Sequence, residues 1–155
     1  MSWDVVVINY GGKPPLPDEM AGAPPPGPLG PAAQVRGSIA AYLPGVDWSD
    51  PTWGIYEGNG FSLEFNTGKD DAIDSIMVHV RGRGDAISAM LAFANPLGWS
   101  LLDCSTGEFL DPENPSSEGW AGFQAFRDQD LGSLERKKPK GKGKRPKGKG
   151  KRRDA

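Results

Sequence analysis

The stretch that most restricts the fold runs from Asp47 to Asp85, DWSDPTWGIYEGNGFSLEFNTGKDDAIDSIMVHVRGRGD. In its middle, Phe61-Ser62-Leu63-Glu64-Phe65 alternates apolar and polar residues without a break. Successive side chains of a strand point to opposite faces, so this period places one face in a core and one in water. Asn59-Gly60 precedes it. Both residues tolerate positive φ, which makes the pair a strong hairpin signal. Thr52-Trp53-Gly54-Ile55-Tyr56 reads as the strand before the turn, and Ile76, Val78 and Val80 as the apolar face of a third strand. Thr67 to Asp71 is turn chemistry between the last two. A three-stranded meander with one apolar face needs a cover, and the flanking patterns are helical.

Upstream, Trp3 to Asn9 forms another strand candidate. Its continuous run Val5-Val6-Val7-Ile8 predicts a central strand buried on both faces. Ala32, Val35, Ile39, Tyr42 and Leu43 recur at helical spacing between Pro31 and Pro44-Gly45. Downstream, Asp85 reads as a helix N-cap, Ile87, Met90, Leu91 and Ala94 as one apolar stripe, and Asn95-Pro96 as the stop. Trp99 to Asp103 reads as a strand, and Glu108-Phe109-Leu110 as a short edge strand. Asn114-Pro115 reads as the cap of a last helical segment carrying Trp120, Phe123 and Phe126. The order strand, helix, three-strand meander, helix, strand predicts an α+β fold: a mainly antiparallel sheet with helices packed on one face.

Not all 155 residues suit a core. Residues 1–10 supply the first strand. Residues 11–30 hold Pro14, Pro15, Pro17, Pro24, Pro25, Pro26 and Pro28 and read as an extended, polyproline-like linker or insertion. Residues 31–130 complete a single domain of modest size. Residues 131–155 read as a disordered Lys/Arg/Gly-rich tail, since too little apolar surface is present to offset the entropy of ordering it.

The net charge of −2 conceals an asymmetry. Residues 1–135 hold 6 basic residues against 19 acidic ones, a net of −13, and residues 136–155 hold 12 basic residues and Asp154, a net of +11. An acidic body with a basic tail points to charged partners. The tail residues Lys137, Lys138, Lys140, Lys142, Lys144, Arg145, Lys147, Lys149, Lys151, Arg152 and Arg153 suit a phosphate backbone read without sequence preference. They suit equally well a solubilising tail that folds back on the acidic body. No aromatic residue is interleaved for base stacking.

Chemistry-bearing motifs are sparse. Cys104 and His79 are the one cysteine and the one histidine, so no intrachain disulfide forms, and a cofactor or structural zinc site is not expected. The lone thiol and the absence of a secretion pattern predict a reducing, cytoplasmic setting. No apolar run reaches the ~20 residues a membrane span needs. Arg81-Gly82-Arg83-Gly84-Asp85 reads as a tight turn into a capped helix rather than a phosphate loop, because Ile87 stands where the dinucleotide fingerprint needs glycine. Trp48 and Trp53 flank Asp50-Pro51 in an expected loop and are candidate partner-binding anchors. Asp50, Asp70, Asp71 and Asp74 are candidate acidic contacts beside them. These offsets lack the terminal Glu of a calcium loop.

Met1-Ser2-Trp3-Asp4-Val5-Val6-Val7, the block Pro44-Gly45-Val46-Asp47-Trp48-Ser49-Asp50-Pro51-Thr52-Trp53-Gly54-Ile55-Tyr56, the strand Phe61 to Asn66 and His79-Val80-Arg81-Gly82 resemble a family of small bacterial α+β proteins. The likeness spans residues 1–10 and 30–130 and leaves out the proline segment and the tail. In size, acidity and build the chain is similar to immunity proteins that neutralise bacterial toxins, a likeness at the level of the fold. The net charge of −13 over residues 1–135 and the missing catalytic set lead to the expectation of a non-enzymatic interaction protein, an immunity-type inhibitor whose acidic surface meets a basic toxin being its specific form. The second expectation is a nucleic-acid-associated protein binding through its tail.

Overall fold

A computed structural model describes the backbone of residues 1–137 and the side chains of residues 1–130. The elements in chain order are β1 (Trp3–Ile8), a 3-10 helix (Pro17–Gly22), β2 (Gly30–Pro31), α1 (Ala32–Tyr42), β3 (Trp53–Glu57), β4 (Phe61–Asn66), β5 (Ala72–Ile73), β6 (Ile76–Gly82), α2 (Ala86–Leu97), β7 (Ser100–Asp103), β8 (Glu108–Phe109) and α3 (Glu118–Lys137). The fold is α+β. A six-stranded sheet runs β3-β4-β6-β1-β7-β8, every neighbouring pair antiparallel, and β2 and β5 form a separate two-stranded sheet.

The meander forms as the alternation demands. β3 pairs with β4 from Trp53↔Asn66 to Glu57↔Ser62, and the Gly58 amide donates to the Phe61 carbonyl at 2.8 Å, closing the turn over Asn59-Gly60. Leu63, Phe65, Ile76, Val78 and Val80 are fully buried, on one face. Val5 and Val7 of β1 join them from the middle of the sheet, between β6 and β7. The other half of the β1 expectation is corrected: Val6 and Ile8 are part-exposed, so the strand is central but buried on one face. A continuous apolar run fits a strand with one dry face and one half-dry face as well as it fits a strand buried on both.

The helices cover the dry face. Val35 and Ile39 of α1 and Ala86, Ile87, Met90, Phe93 and Ala94 of α2 belong to the same buried cluster. The first amide of α1 donates to the Asp71 carbonyl at 2.7 Å, which ties the helix start to β5. Tyr42 was expected on the buried stripe and is 45% exposed, since the last turn of α1 rotates it away while Leu43 turns inward. α2 begins where expected: Asp85 Oδ1 accepts from the Ser88 amide at 3.1 Å. It ends two residues later than expected. Pro96 sits inside the final turn, and Gly98 in the left-handed region (φ 73°) stops the helix, its amide donating to Asn95. A glycine there adopts positive φ without a Cβ penalty.

The chain divides after Gln124 into two units. In the first, the start of α3 is anchored by Trp120, which is buried, stacks on Trp3 at 5.4 Å and donates its indole N–H to the Gly84 carbonyl at 2.8 Å. In the second, Phe126 is exposed, unlike its expected place on an apolar helix face, and Arg127 Nε pairs with Asp128 at 3.3 Å. α3 reaches Lys137, so residues 131–137, read from sequence as the start of the tail, are helical. The tail expectation for residues 138–155 lies outside the described residues.

The proline segment has built structure. It holds the 3-10 helix, and its two ends meet where the Gly27 amide donates to the Asn9 carbonyl at 2.8 Å.

Candidate functional site

A sheet covered on one side presents the other to its surroundings. The pairing registers place the residues of that open face in rows. One row crosses all six strands: Trp53, Asn66, Met77, Val6, Leu102 and Phe109. Five of these six are apolar. At the usual spacing of about 4.8 Å between strands, the row is about 24 Å long. All of them except the exposed Asn66 are part-exposed, and none of the five belongs to the core cluster or packs against it. Tyr10, just after β1, adds to the row by meeting Phe109 edge-to-face at 5.7 Å. Ile8 lies on the same face, and its cross-strand partner Ser100 is covered where its hydroxyl donates to the Gly12 carbonyl at 3.4 Å.

The neighbouring row is polar beyond its first residue. It runs Ile55, Glu64, His79, Asp4 across β3, β4, β6 and β1, and continues to Cys104, whose amide donates to the Asp4 carbonyl at 3.1 Å. His79 Nδ1 lies 2.9 Å from Asp4 Oδ1, and the imidazole stacks on Trp53 with ring centres 5.5 Å apart and planes 17° apart. Beyond it stands a third row of Glu57, Ser62 and Arg81. Arg81 Nε donates to Glu64 Oε2 at 3.0 Å, and another of its guanidinium nitrogens donates to the Met1 carbonyl at 2.6 Å. Glu57, Ser62, Arg81 and Gly82, with Gly58, Gly60 and Phe61, line a shallow depression at the hairpin end of the face. Gly82 is required at its floor: its φ is 89°, and a Cβ there would run into the Gly60 carbonyl oxygen.

Ser2, Asp4 and His79 have the residue types of a hydrolytic triad but a different geometry. Ser2 Oγ donates to Asp4 Oδ1 at 2.5 Å and lies 3.4 Å from His79 Nδ1. A relay needs the imidazole between hydroxyl and carboxylate, one partner at each nitrogen. Here both partners meet Nδ1. Cys104 and His79 lie two strands apart, about 10 Å at the backbone, with Asp4 between them. Burial pushes the Cys104 thiol above its ordinary pKa, and the Asp4 and Asp103 carboxylates push it further, which disfavours the thiolate a nucleophile needs. Among the described residues no cluster of His, Cys, Asp and Glu has the arrangement of a metal site.

The sequence-based site residues are not brought together. Trp48 is half-buried on the dry face, over Gly54 and tilted against Phe65 at 5.9 Å, so it is a lid on the core rather than a protruding anchor. Its indole nitrogen is buried without a hydrogen-bond partner. Trp53 points the other way, onto the open face. Two tryptophans five positions apart diverge because a turn and the alternation of β3 intervene. Asp50 closes its own loop, its Oδ1 accepting from the Thr52 hydroxyl at 2.7 Å and the Thr52 amide at 2.9 Å. These bonds, the hydroxyl first, hold its carboxyl below the ordinary range, and Ser49 does the same for Asp47. Asp70, Asp71 and Asp74 are exposed in the connections on either side of β5, beside the small sheet. Lys137 is the last residue of α3, and the other basic tail residues lie outside the described residues.

Sequence reasoning missed Val6, Met77, Leu102 and Phe109. Their signal was apolar character at the outward positions of alternating strands. No helix of the described residues is long and apolar enough to cross a membrane. No family model, curated protein or solved structure matches the chain.

Proposed function

We propose that this chain is a non-enzymatic interaction protein whose partner docks on the open sheet face, an immunity-type inhibitor of a basic toxin being the specific form of that reading. The observation that carries it is the apolar row Trp53, Met77, Val6, Leu102 and Phe109, with a charged row beside it. An apolar centre with a polar rim is the anatomy of a protein–protein interface. Trp53, an aromatic at one end of that row, is of a residue type enriched in interface hot spots. The net charge of −13 over residues 1–135 would steer a basic partner into encounter and suppress acidic ones. The test is co-expression of the full chain with the products of the neighbouring genes, followed by size-exclusion chromatography. The expected result is a complex that Leu102→Glu abolishes while the melting temperature is retained. Failure of every neighbouring product to bind, or a complex indifferent to Leu102→Glu and Met77→Glu, overturns the reading.

A second reading rests on the twelve basic residues of 136–155. They would hold a nucleic acid through its phosphates, with an affinity that falls steeply with salt. Equal binding by the full chain and by a chain ending at residue 135, over a salt series, overturns it.

A further inference from the structure

The open face leaves one large surface feature unused. Between β1 and β2 the chain carries Pro14, Pro15, Pro17, Pro24, Pro25, Pro26 and Pro28. A proline fixes its own φ near −65° and drives the preceding residue toward extended ψ. The residues before the prolines follow the second rule: Leu16, before Pro17, has φ −71° and ψ 158°, and Ala23, before Pro24, has φ −77° and ψ 147°. Both are polyproline II values. Pro24, Pro25, Pro26, Gly27 and Pro28 are all exposed, and so are Leu16 and Met20, at 54% and 43%.

Such a segment is ordinarily a loose connector. Here its far end is tied to the sheet. The Gly27 amide donates to the Asn9 carbonyl at 2.8 Å, Asn9 Nδ2 donates to the Pro28 carbonyl at 2.9 Å, and the Leu29 amide donates to the Ile73 carbonyl at 2.8 Å. At the near end Asn9 Oδ1 accepts from the Gly11 amide at 2.8 Å. One asparagine thus closes the base of the segment from both sides. Pro24, Pro25, Pro26 and Pro28 are left uncovered next to this tied base.

We infer that Pro24–Pro28 is a pre-formed polyproline II ligand for a partner protein whose groove is lined with aromatic rings. Three residues per turn place Pro25 and Pro28 on one edge of such a strand, the spacing that aromatic-lined grooves read. Little conformational entropy remains to be lost on binding, because the prolines and the Asn9 clamp have removed it already. The exposed Leu16 and Met20 supply further apolar surface on the same segment. This inference is independent of the open-face reading, since it uses none of the same residues.

The experiment uses the full chain and two recombinant probes, an SH3 domain and a WW domain, each isotopically labelled and followed by NMR. Saturable shifts of the groove resonances of one probe are expected. The double variant Pro25→Ala/Pro28→Ala should weaken that binding by at least about tenfold. Asn9→Ala, which removes the two side-chain bonds at the base, keeps the backbone ones and leaves every proline in place, should weaken it by a smaller factor. Leu102→Glu should leave it unchanged, which separates this site from the sheet face. The inference is overturned if neither probe's groove responds, or if the double proline variant binds as tightly as the parent chain.

Discussion

Trp3 donates its indole N–H to Asp103 Oδ1 at 2.9 Å, joining two residues that are 100 positions apart. Asp103 is 2% exposed, and the same oxygen accepts from the Ser105 amide at 2.8 Å and the Ser105 hydroxyl at 2.6 Å. Trp3 in turn stacks on Trp120. One carboxylate oxygen therefore holds the end of β7, the start of β1 and, through the ring stack, the start of α3.

Asp103→Ala should cost about 3–5 kcal/mol, because it strands the buried Trp3 N–H and the Ser105 amide together. Asp103→Asn keeps an acceptor at the same place and should cost less than half as much. Urea denaturation of the three proteins checks the order. Equal stabilities would mean that the bond to Trp3 contributes nothing.

Two glycines in α3 should respond with opposite sign. A Cβ on Gly119 would overlap the Asp103 carboxylate, whereas a Cβ on Gly122 meets nothing within 4 Å. Gly119→Ala should destabilise by about 1–3 kcal/mol through overpacking. Gly122→Ala should stabilise by up to about 1 kcal/mol through helix propensity. Thermal melts of the two variants read the difference directly.

The faces of the meander are tested by Leu63 and Ile55. Leu63 is fully buried and Ile55 is 37% exposed on the opposite face. Leu63→Ala should cost about 2–5 kcal/mol. Ile55→Ala should cost under about 1 kcal/mol, and a reversed order of denaturation midpoints would invert the assignment of faces.

Cys104 should alkylate slowly near neutral pH, since burial and then the Asp4 and Asp103 charges raise its pKa. Asp4→Asn removes one of those charges while retaining the side-chain shape. It should therefore lower the thiol pKa and move the midpoint of the rate–pH profile to lower pH. An unmoved midpoint would show that Asp4 does not act on the thiol.

Much of the fold was legible in the residues. The alternation of Phe61 to Phe65, the Asn59-Gly60 turn and the Asp85 cap each depend on residues within a few positions, and each has its expected form in the structure. Phe93 was missed because helical spacing from Ile87 and Met90 admits either neighbour of the stripe. It is buried because Phe65 meets it edge-to-face at 5.6 Å. The candidate site was hardly legible at all. Trp48 and Trp53 looked like one pair of anchors, yet the first covers Phe65 and the second stacks on His79.

By itself the sequence determined what is local: which residues alternate, where the chain turns, where helices start, and that an acidic body precedes a basic end. Those properties follow from backbone sterics, side-chain period and charge. Only the tertiary structure decided the strand order β3-β4-β6-β1-β7-β8, and with it the neighbours of each outward-facing residue. Val6 lies between Met77 and Leu102 because the β1 strand inserts between two strands that come far later in the chain. Cross-strand adjacency is set by burying the dry face of every strand against the helices at once, and no local pattern encodes that choice.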